Sequence, residues 1–161
     1  MNLNNLKSIN DNPISQRIRD TYSKQSDEVK KKLDNLKTKN YKEYQLKVIK
    51  RSKSNPKIGD VFEIKPNDDT TLYGIVINAP IKNKNGDNLN LIFVMKMNVT
   101  VNEFKFTNDE LLIPPLIVGK EYWSRGYFFN TGVMLSVPSD IDYGFYDIVD
   151  QKYVDEYRNE I

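Results

Sequence analysis

The carboxylates are the side chains of this chain that could do chemistry, because the sequence contains no His and no Cys. Asp147, Asp155 and Glu156 lie close enough along the chain to meet on one surface. A pair of carboxyl groups can hydrolyse a glycosidic bond when one acts as acid and the other as base or nucleophile. Acidic residues on strand edges, however, usually stay solvated and discourage edge pairing. A carboxylate hydrolase is therefore the weakest of three hypotheses, and we expect no catalytic residues.

One segment resembles a metal-binding loop at its start only. Asp140 and Asp142 have the spacing of the first ligands of a calcium loop. Such a loop needs an oxygen ligand at position 5, Gly at position 6 and Glu at position 12. Those positions hold Gly144, Phe145 and Gln151 here. Without His or Cys a zinc site is also excluded, and no glycine-rich phosphate-binding motif is present. We expect no metal and no cofactor.

A second group of residues suggests recognition. Trp123, Arg125 and Tyr127 alternate along a stretch predicted to be a strand, so they would share one strand face. If that face is exposed, the three residues are typical of an interface hot spot. If it is buried, Trp123 is a core residue and Arg125 needs a carboxylate partner.

The C-terminal third is dense in aromatic residues interleaved with acidic ones. Ten of the eighteen aromatic residues lie between 122 and 157. Asp and Glu are rarely buried unpaired, so they should face outward from an aromatic core. This pattern predicts a β-rich block with an acidic exterior that binds a partner. The acidic residues predicted to contact it are Asp140, Asp142, Asp147, Asp150, Asp155 and Glu156.

The charges divide unevenly along the chain. Residues 1–57 carry 15 Lys/Arg against 6 Asp/Glu, whereas residues 58–161 carry 9 against 16. The basic half could contact nucleic acid, which is the main alternative function, or could form solvated helix faces. The even spread of the cations around the helices favours the solvated interpretation.

Length and hydropathy limit the architecture. The 161 residues suffice for one core with a small helical appendage. No run of about 18 apolar residues occurs, so we expect no membrane span. The first seven residues lack the apolar core of a signal peptide, so we expect a cytoplasmic protein.

The N-terminal part shows helical signals. Asn12-Pro13 resembles an N-cap followed by Pro at the first helical position, and Ser26 resembles a second N-cap. Ile14, Ile18 and Tyr22, and then Val29, Leu33 and Leu36, recur at helical spacing. A third helix is predicted over 40–51, and Ser52–Pro56 is the clearest linker. We therefore predict a helical extension over 1–52 and a β domain over 57–161.

The remainder shows strand periodicity. Asn85-Gly86 is a strong hairpin signal, and strands are predicted over 60–65, 71–77, 89–97, 101–106, 122–129, 133–137, 145–149 and around Tyr153. The fold class is α+β: basic helices followed by a curled antiparallel β-sheet or a small SH3-like, partly open barrel.

Several short motifs in the same part of the chain resemble those of one protein family. Gly59-Asp-Val-Phe-Glu-Ile64 and Tyr73-Gly-Ile-Val76 come first. Trp123-Ser-Arg-Gly-Tyr-Phe128, Phe145-Tyr-Asp147 and Lys152-Tyr-Val-Asp-Glu156 follow. Over residues 57–158 this order resembles the immunity protein 26 family of bacterial polymorphic toxin systems. The helices before Lys57 are outside that pattern, and Tyr143-Gly144 stands where relatives often carry His-Cys.

The resemblance implies a non-enzymatic bacterial protein that binds and neutralises a cognate toxin domain. A nuclease is one such toxin, since nucleases present basic substrate clefts that an acidic surface would fit. We expect no membrane partner, and the excess of 16 Asp/Glu over 9 Lys/Arg in residues 58–161 disfavours nucleic acid, whose phosphates it would repel. The oligomeric state stays open.

Overall fold

The chain divides into two compact units, residues 45–143 and residues 1–44 with 144–161. A computed structural model describes residues 11–83, 85–96, 111–137 and 141–161, with the side chain of Tyr41 left out. The predicted fourth strand, 101–106, lies outside the described residues. The predicted domains 1–52 and 57–161 stay a prediction about which segments fold independently.

Two capped helices open the described chain, as the sequence predicts. Helix α1 spans Pro13–Ser23, and the Asn12 side chain accepts a hydrogen bond from the Ser15 backbone N–H at 2.9 Å. Helix α2 spans Asp27–Thr38, and the Ser26 hydroxyl accepts from the Val29 N–H at 3.3 Å. Both caps satisfy donors that the first helical turn leaves open. The aliphatic residues of both apolar stripes are nonetheless more than one third exposed: Ile14, Ile18, Val29, Leu33 and Leu36.

The third predicted helix is mostly wrong. Helix α3 is a single turn, Tyr41–Tyr44, and residues 45–52 form neither helix nor strand. The backbone N–H of Lys47 donates to the Lys65 carbonyl at 2.8 Å, and that of Ile49 donates to the Gly126 carbonyl at 2.8 Å. These long-range hydrogen bonds outweigh the weak helical preference of a segment that contains β-branched Val48 and Ile49.

A five-stranded antiparallel sheet forms the centre of residues 45–143. Its order is β4-β3-β2-β1-β5. Among the described residues β4 and β5 are edge strands that do not pair with each other, so the sheet is open and not closed into a barrel. The α+β class is confirmed. The strands are β1 Asp60–Ile64, β2 Leu72–Lys82, β3 Asn88–Met95, β4 Leu116–Gly119 and β5 Phe128–Val133.

Both faces of the central strands β1, β2 and β3 are buried, because apolar residues occupy consecutive positions there and successive side chains point to opposite faces. Phe62, Val76 and Ile92 pack on one face with Trp123. Val61, Ile75 and Phe93 pack on the other with Met134 and Ile141. Strand β2 lies between β1 and β3, as its apolar character predicts. Its pairing with β3 is irregular between Asn78 and Ile81, where the peptide bond preceding Pro80 is cis.

The region from 114 to 137 differs most from the sequence prediction. Strand β4 begins directly after Pro114-Pro115 and was not predicted. Helix α4, Glu121–Ser124, occupies the first half of the predicted strand 122–129. The next strand, β5, ends at Val133, so the predicted strand 133–137 does not form. The sheet pairs β5 with the distant β1, and such long-range pairing is invisible to local periodicity.

The C-terminal residues form a separate hairpin. Strand β6, Phe145–Asp147, pairs antiparallel with strand β7, Lys152–Val154. The predicted turn at Asp150-Gln151 is confirmed, and Gln151 adopts φ = 53°. The rings of Tyr146 and Tyr153 meet edge to face at 5.3 Å between centroids. Of the described helices, none combines the length and apolar character that crossing a membrane requires.

Candidate partner-binding surface

Trp123 is a core residue and is not part of an exposed stripe. It is 1% exposed, and its ring packs edge to face on Phe62 and Phe128, with centroids 5.1 Å away in both cases. The indole Nε1–H donates to Asn130 Oδ1 at 2.8 Å. Asn130 Nδ2 in turn donates to Asp60 Oδ2 at 2.9 Å. This chain of hydrogen bonds satisfies the one polar atom of the indole and ties α4 to β5 and β1.

Three of the five family-like motifs meet around this core. Phe62 comes from the first motif, Gly74 from the second, and Trp123 and Phe128 from the third. A Cβ at Gly74 would lie 2.4 Å from the Phe62 ring, so only glycine lets that ring pack there. Gly126 has φ = 88°, and a Cβ there would lie 3.0 Å from the backbone of Lys50. These motif residues therefore build the fold and leave recognition to other residues.

Arg125 and Tyr127 do not share a strand face with Trp123, because the chain turns at α4. Arg125 is the C-cap residue of α4 and is exposed. Within the described segments its guanidinium pairs with no carboxylate. Tyr127 is half-buried against the Trp123 core, and its hydroxyl oxygen accepts from Gln45 Nε2. The predicted stripe of three residues is thus divided between core and surface.

Asp147 holds the C-terminal hairpin together. Its Oδ1 accepts from the backbone N–H of Val149 at 2.9 Å and of Asp150 at 3.3 Å, and its Oδ2 accepts from Arg158. The backbone N–H of Asp150 is the main cause that lowers the pKa of Asp147, and the Val149 N–H and Arg158 lower it further. This carboxylate therefore has a structural task in the turn between β6 and β7.

Asp155 performs a similar task after β7. It accepts from Asn159 Nδ2 at 2.9 Å, from the Asn159 N–H at 2.8 Å and from the Tyr157 N–H at 2.9 Å. The Asn159 side chain is the largest of the causes that lower the pKa of Asp155. Asp147 and Asp155 thus each close their own turn.

The other predicted acidic contacts have different positions. Asp150 lies exposed at the turn of the hairpin and Glu156 is half-buried after β7. Asp142 is exposed and belongs to residues 45–143, whereas Asp140 lies outside the described residues. Among the described residues no group of three or more acidic side chains is placed to hold a metal ion.

The hairpin also presents exposed apolar and aromatic groups that the sequence interpretation did not single out. Val149 is 78% exposed and Tyr157 is 59% exposed, next to the Asp150 and Glu156 carboxylates. Aromatic groups beside charges are typical of interface hot spots. The run Tyr146-Asp-Ile-Val149 could have indicated this, because its apolar residues fall at a tight turn. We call Val149, Asp150, Tyr153 and Tyr157 the hairpin surface.

Charge is distributed differently from the expectation of an acidic sheet. Residues 45–143 carry 12 Lys/Arg and 11 Asp/Glu, a net charge of +1, because the basic segment 45–57 lies along the sheet. The C-terminal residues 144–161 carry five Asp/Glu and two Lys/Arg, a net charge of −3. The acidic character of the second half is therefore strongest in the hairpin.

Comparison with known families gives a match to the immunity protein 26 family over residues 57–152, more than half of the chain. The matched region contains the sheet, the Trp123 core and the start of the hairpin. No curated protein and no solved structure matches the chain. The fold and the match together define an α+β protein of the immunity type, and the chain belongs to the immunity protein 26 family.

Proposed function

We propose that this protein binds a cognate bacterial toxin domain and blocks it without catalysing a reaction. The family match over residues 57–152 is the observation that carries the proposal. The described carboxylates support it further, because Asp147 and Asp155 are occupied by turn-closing hydrogen bonds. A binding protein of this kind works in the cytoplasm, where the toxin would otherwise act.

The hairpin surface is the contact region that we propose. A partner can bury its exposed Val149, Tyr153 and Tyr157. Aromatic anchors like these two tyrosines contribute most of the affinity of typical interfaces. Asp150 and Glu156 add negative charge at the rim, where charge mainly increases the association rate. Asp142 and Arg125 are further exposed candidates, and Trp123 is excluded by its burial.

The chemistry of the hairpin surface suits a partner with a basic cleft. A toxin that cleaves nucleic acid needs such a cleft to hold phosphates. The net charge of −3 over residues 144–161 would attract it by the same long-range force. A nuclease is therefore the toxin class that we propose first.

Co-expression tests the proposed function. The probe is the toxin domain encoded beside this gene, produced in bacteria with or without this protein. We expect survival only when both are present, and a stable complex of the purified proteins on a sizing column. Growth arrest despite full expression of this protein, together with separate elution, would contradict the proposal.

A matched pair of variants tests the contact region. Asp150→Lys/Tyr157→Ala changes the hairpin surface, whereas Asp69→Lys/Tyr44→Ala makes the same two changes at exposed positions elsewhere. We expect the first pair to weaken binding by about 100-fold or more and the second to leave it within about threefold. Equal effects of both pairs would remove the hairpin from the interface.

The alternative function, nucleic-acid binding through the basic helices, has less support. Lys32 pairs with Glu28 at 2.7 Å and Lys37 with Asp34 at 2.8 Å, so part of the positive charge is neutralised within α2. A filter-binding titration with DNA and RNA at low salt tests this alternative, since phosphate-directed binding is strongest there.

A further inference from the structure

A pocket with both apolar and polar lining groups lies against the sheet in residues 45–143. It encloses about 500 Å³ between the loop before β1, the irregular part of β2, the start of β3 and the residue after β4. This volume is in the range of pockets that hold ligands. The residues that matter for its chemistry are Pro56, Lys57, Pro80, Asn88, Asn90 and Lys120.

Asn90 is the buried polar group of this pocket. It is 3% exposed and lies on the same face of β3 as Ile92 and Val94, where an apolar residue would continue the core. Its Nδ2 donates to the Val118 carbonyl at 3.2 Å, which determines which amide atom is the nitrogen. No donor in the described segments reaches its Oδ1. A buried carbonyl oxygen of this kind calls for a hydrogen-bond donor from outside the fold.

Two lysines make the pocket positive. Lys57 and Lys120 are both exposed pocket residues, and neither ammonium group forms an ion pair within the described part of the chain. The nearby carboxylates of Asp60 and Glu121 have other contacts in the fold. Asp60 accepts from the Lys57 N–H at 2.9 Å and from Asn130, and Glu121 packs over the Cα of Gly119. Within the part of the chain that the structure describes, the pocket thus offers two lysines without a carboxylate partner and one acceptor without a donor.

The two lysines and the Asn90 oxygen together define the chemistry of a ligand that would fit this pocket. The lysines need an anion, whereas the Asn90 oxygen needs a donor and repels an anion. A sulfate ion supplies the first and not the second, because it carries no proton at neutral pH. An acidic peptide segment supplies both, since its side chains are carboxylates and its backbone carries N–H donors. Pro56 and Pro80 add apolar surface against which the methylene groups of Asp or Glu can pack.

We infer that this pocket receives an acidic segment of a protein partner, with carboxylates at Lys57 and Lys120 and a backbone N–H at Asn90. The inference rests on the proposed function, because it assigns the segment to the toxin domain. It adds a positively charged contact in residues 45–143 to the negatively charged hairpin surface. A partner bound at both places would carry an acidic loop as well as a basic cleft.

Charge reversal with a matched control tests the inference. Lys57→Glu/Lys120→Glu reverses the pocket charge, and Lys53→Glu/Lys82→Glu makes the same change at exposed lysines outside it. Circular dichroism and thermal unfolding should be unchanged in both, because all four side chains are on the surface. With the toxin domain as probe, we expect at least a tenfold loss of affinity for the pocket variant. The control should stay within threefold of the wild type.

The outcomes separate the two proposals. Equal affinity of the pocket variant and the control overturns the inference while leaving the proposed function intact. Failure of the wild type to bind the toxin domain overturns both.

A second measurement does not depend on the toxin. Titration of the labelled protein with the blocked peptide acetyl-Gly-Asp-Glu-Asp-Gly-amide should shift the Asn90 side-chain amide resonances in NMR spectra. The same titration with sodium sulfate, an anion without a donor, should not. Shifts by sulfate alone, or by neither probe, count against an acidic peptide as the ligand.

Discussion

Trp123 illustrates how one residue can carry a family motif and still be excluded from recognition. It lies among Phe62, Phe128 and Asn130, with its indole N–H satisfied inside the fold. Its rarity in the sequence suggests an anchor for a partner, but a residue that is 1% exposed can contribute to binding only through the shape of the fold. The exposed neighbour Arg125 is the residue of this motif that a partner can reach.

Replacing Trp123 should therefore lower stability before it affects binding. Trp123→Ala removes the largest buried side chain of this core and should cost about 3–5 kcal/mol of unfolding free energy. Arg125→Ala should change it by less than about 0.5 kcal/mol. Urea unfolding followed by circular dichroism measures both. If Trp123→Ala kept the stability of the wild type and lost only partner binding, its assignment to the core would be wrong.

Asn90 is a polar residue that is buried in the sheet. Leu89, Leu91 and Phe93 alternate along the strand predicted over 89–97, and Asn90 lies between them on the opposite face. It is buried, because both faces of β3 are covered. Periodicity reports which residues share a face, but whether the second face is covered depends on elements that arrive from elsewhere in the chain.

At the scale of elements, the C-terminal hairpin depends on its acidic residues for more than surface charge. Two short strands are marginal alone, and Asp147 and Asp155 supply the hydrogen bonds that close the turns beside them. The Asp residues in this part of the sequence thus have two different roles. Some carboxylates hold the backbone, and others, such as Asp150, are free to meet a partner.

The hairpin should consequently weaken in acid. Because hydrogen bonds from Asp150, Val149 and Arg158 lower the folded-state pKa of Asp147, its contribution to stability is complete above the ordinary carboxyl pKa near 3.8. It is lost as the pH falls below that value through the lowered pKa. NMR chemical shifts of residues 145–154, followed from pH 6 to pH 2, measure this loss.

Asp147→Asn provides the matched comparison, because an amide oxygen can still accept from the two backbone N–H groups. We expect this variant to be less stable at pH 7 and to show a smaller change between pH 6 and pH 2 than the wild type. Asp150→Asn should keep the full acid response. An unchanged acid response in Asp147→Asn would show that other carboxylates, Asp155 first, control it.

Segment 45–52 packs against the sheet, although it is not one of the strands. Leu46 packs against the Trp123 core, and the backbone N–H groups of Lys47, Ile49 and Ser52 donate to carbonyls of Lys65, Gly126 and Trp123. The family match begins only at residue 57. The segment is therefore an addition that covers one side of the family core.

At the scale of the whole molecule, this arrangement predicts where the chain can be shortened. A chain starting at residue 45 keeps the three backbone hydrogen bonds and the Leu46 contact, whereas a chain starting at residue 57 loses them. We expect the shorter chain to be less stable by about 2–4 kcal/mol, at about 1 kcal/mol for each lost hydrogen bond plus the lost apolar burial. Thermal unfolding of both chains measures the difference. Equal midpoints would favour the predicted boundary between residues 52 and 57.

The basic residues of 45–57 also determine how net charge is distributed between residues 45–143 and residues 144–161. In the sequence the chain divides into a basic and an acidic half. In the fold the basic residues of 45–57 join the sheet unit and bring its charge close to neutral, while the hairpin stays acidic. The net charges of residues 45–143 and of residues 144–161 therefore differ in sign, +1 against −3.

Structural features that depend on neighbours within a few residues were determined by the sequence alone. The caps at Asn12 and Ser26, the turn at Asn85-Gly86, the strand at Asp60–Ile64 and the family motifs all follow from local hydrogen bonding, backbone preference or residue pattern. Tertiary structure alone decided the non-helical path of 45–52, the helical turn that buries Trp123, and the pocket formed by Lys57, Asn90 and Lys120. These features depend on contacts between residues tens of positions apart, and the energy of such contacts exceeds the small local preferences that a sequence pattern reveals.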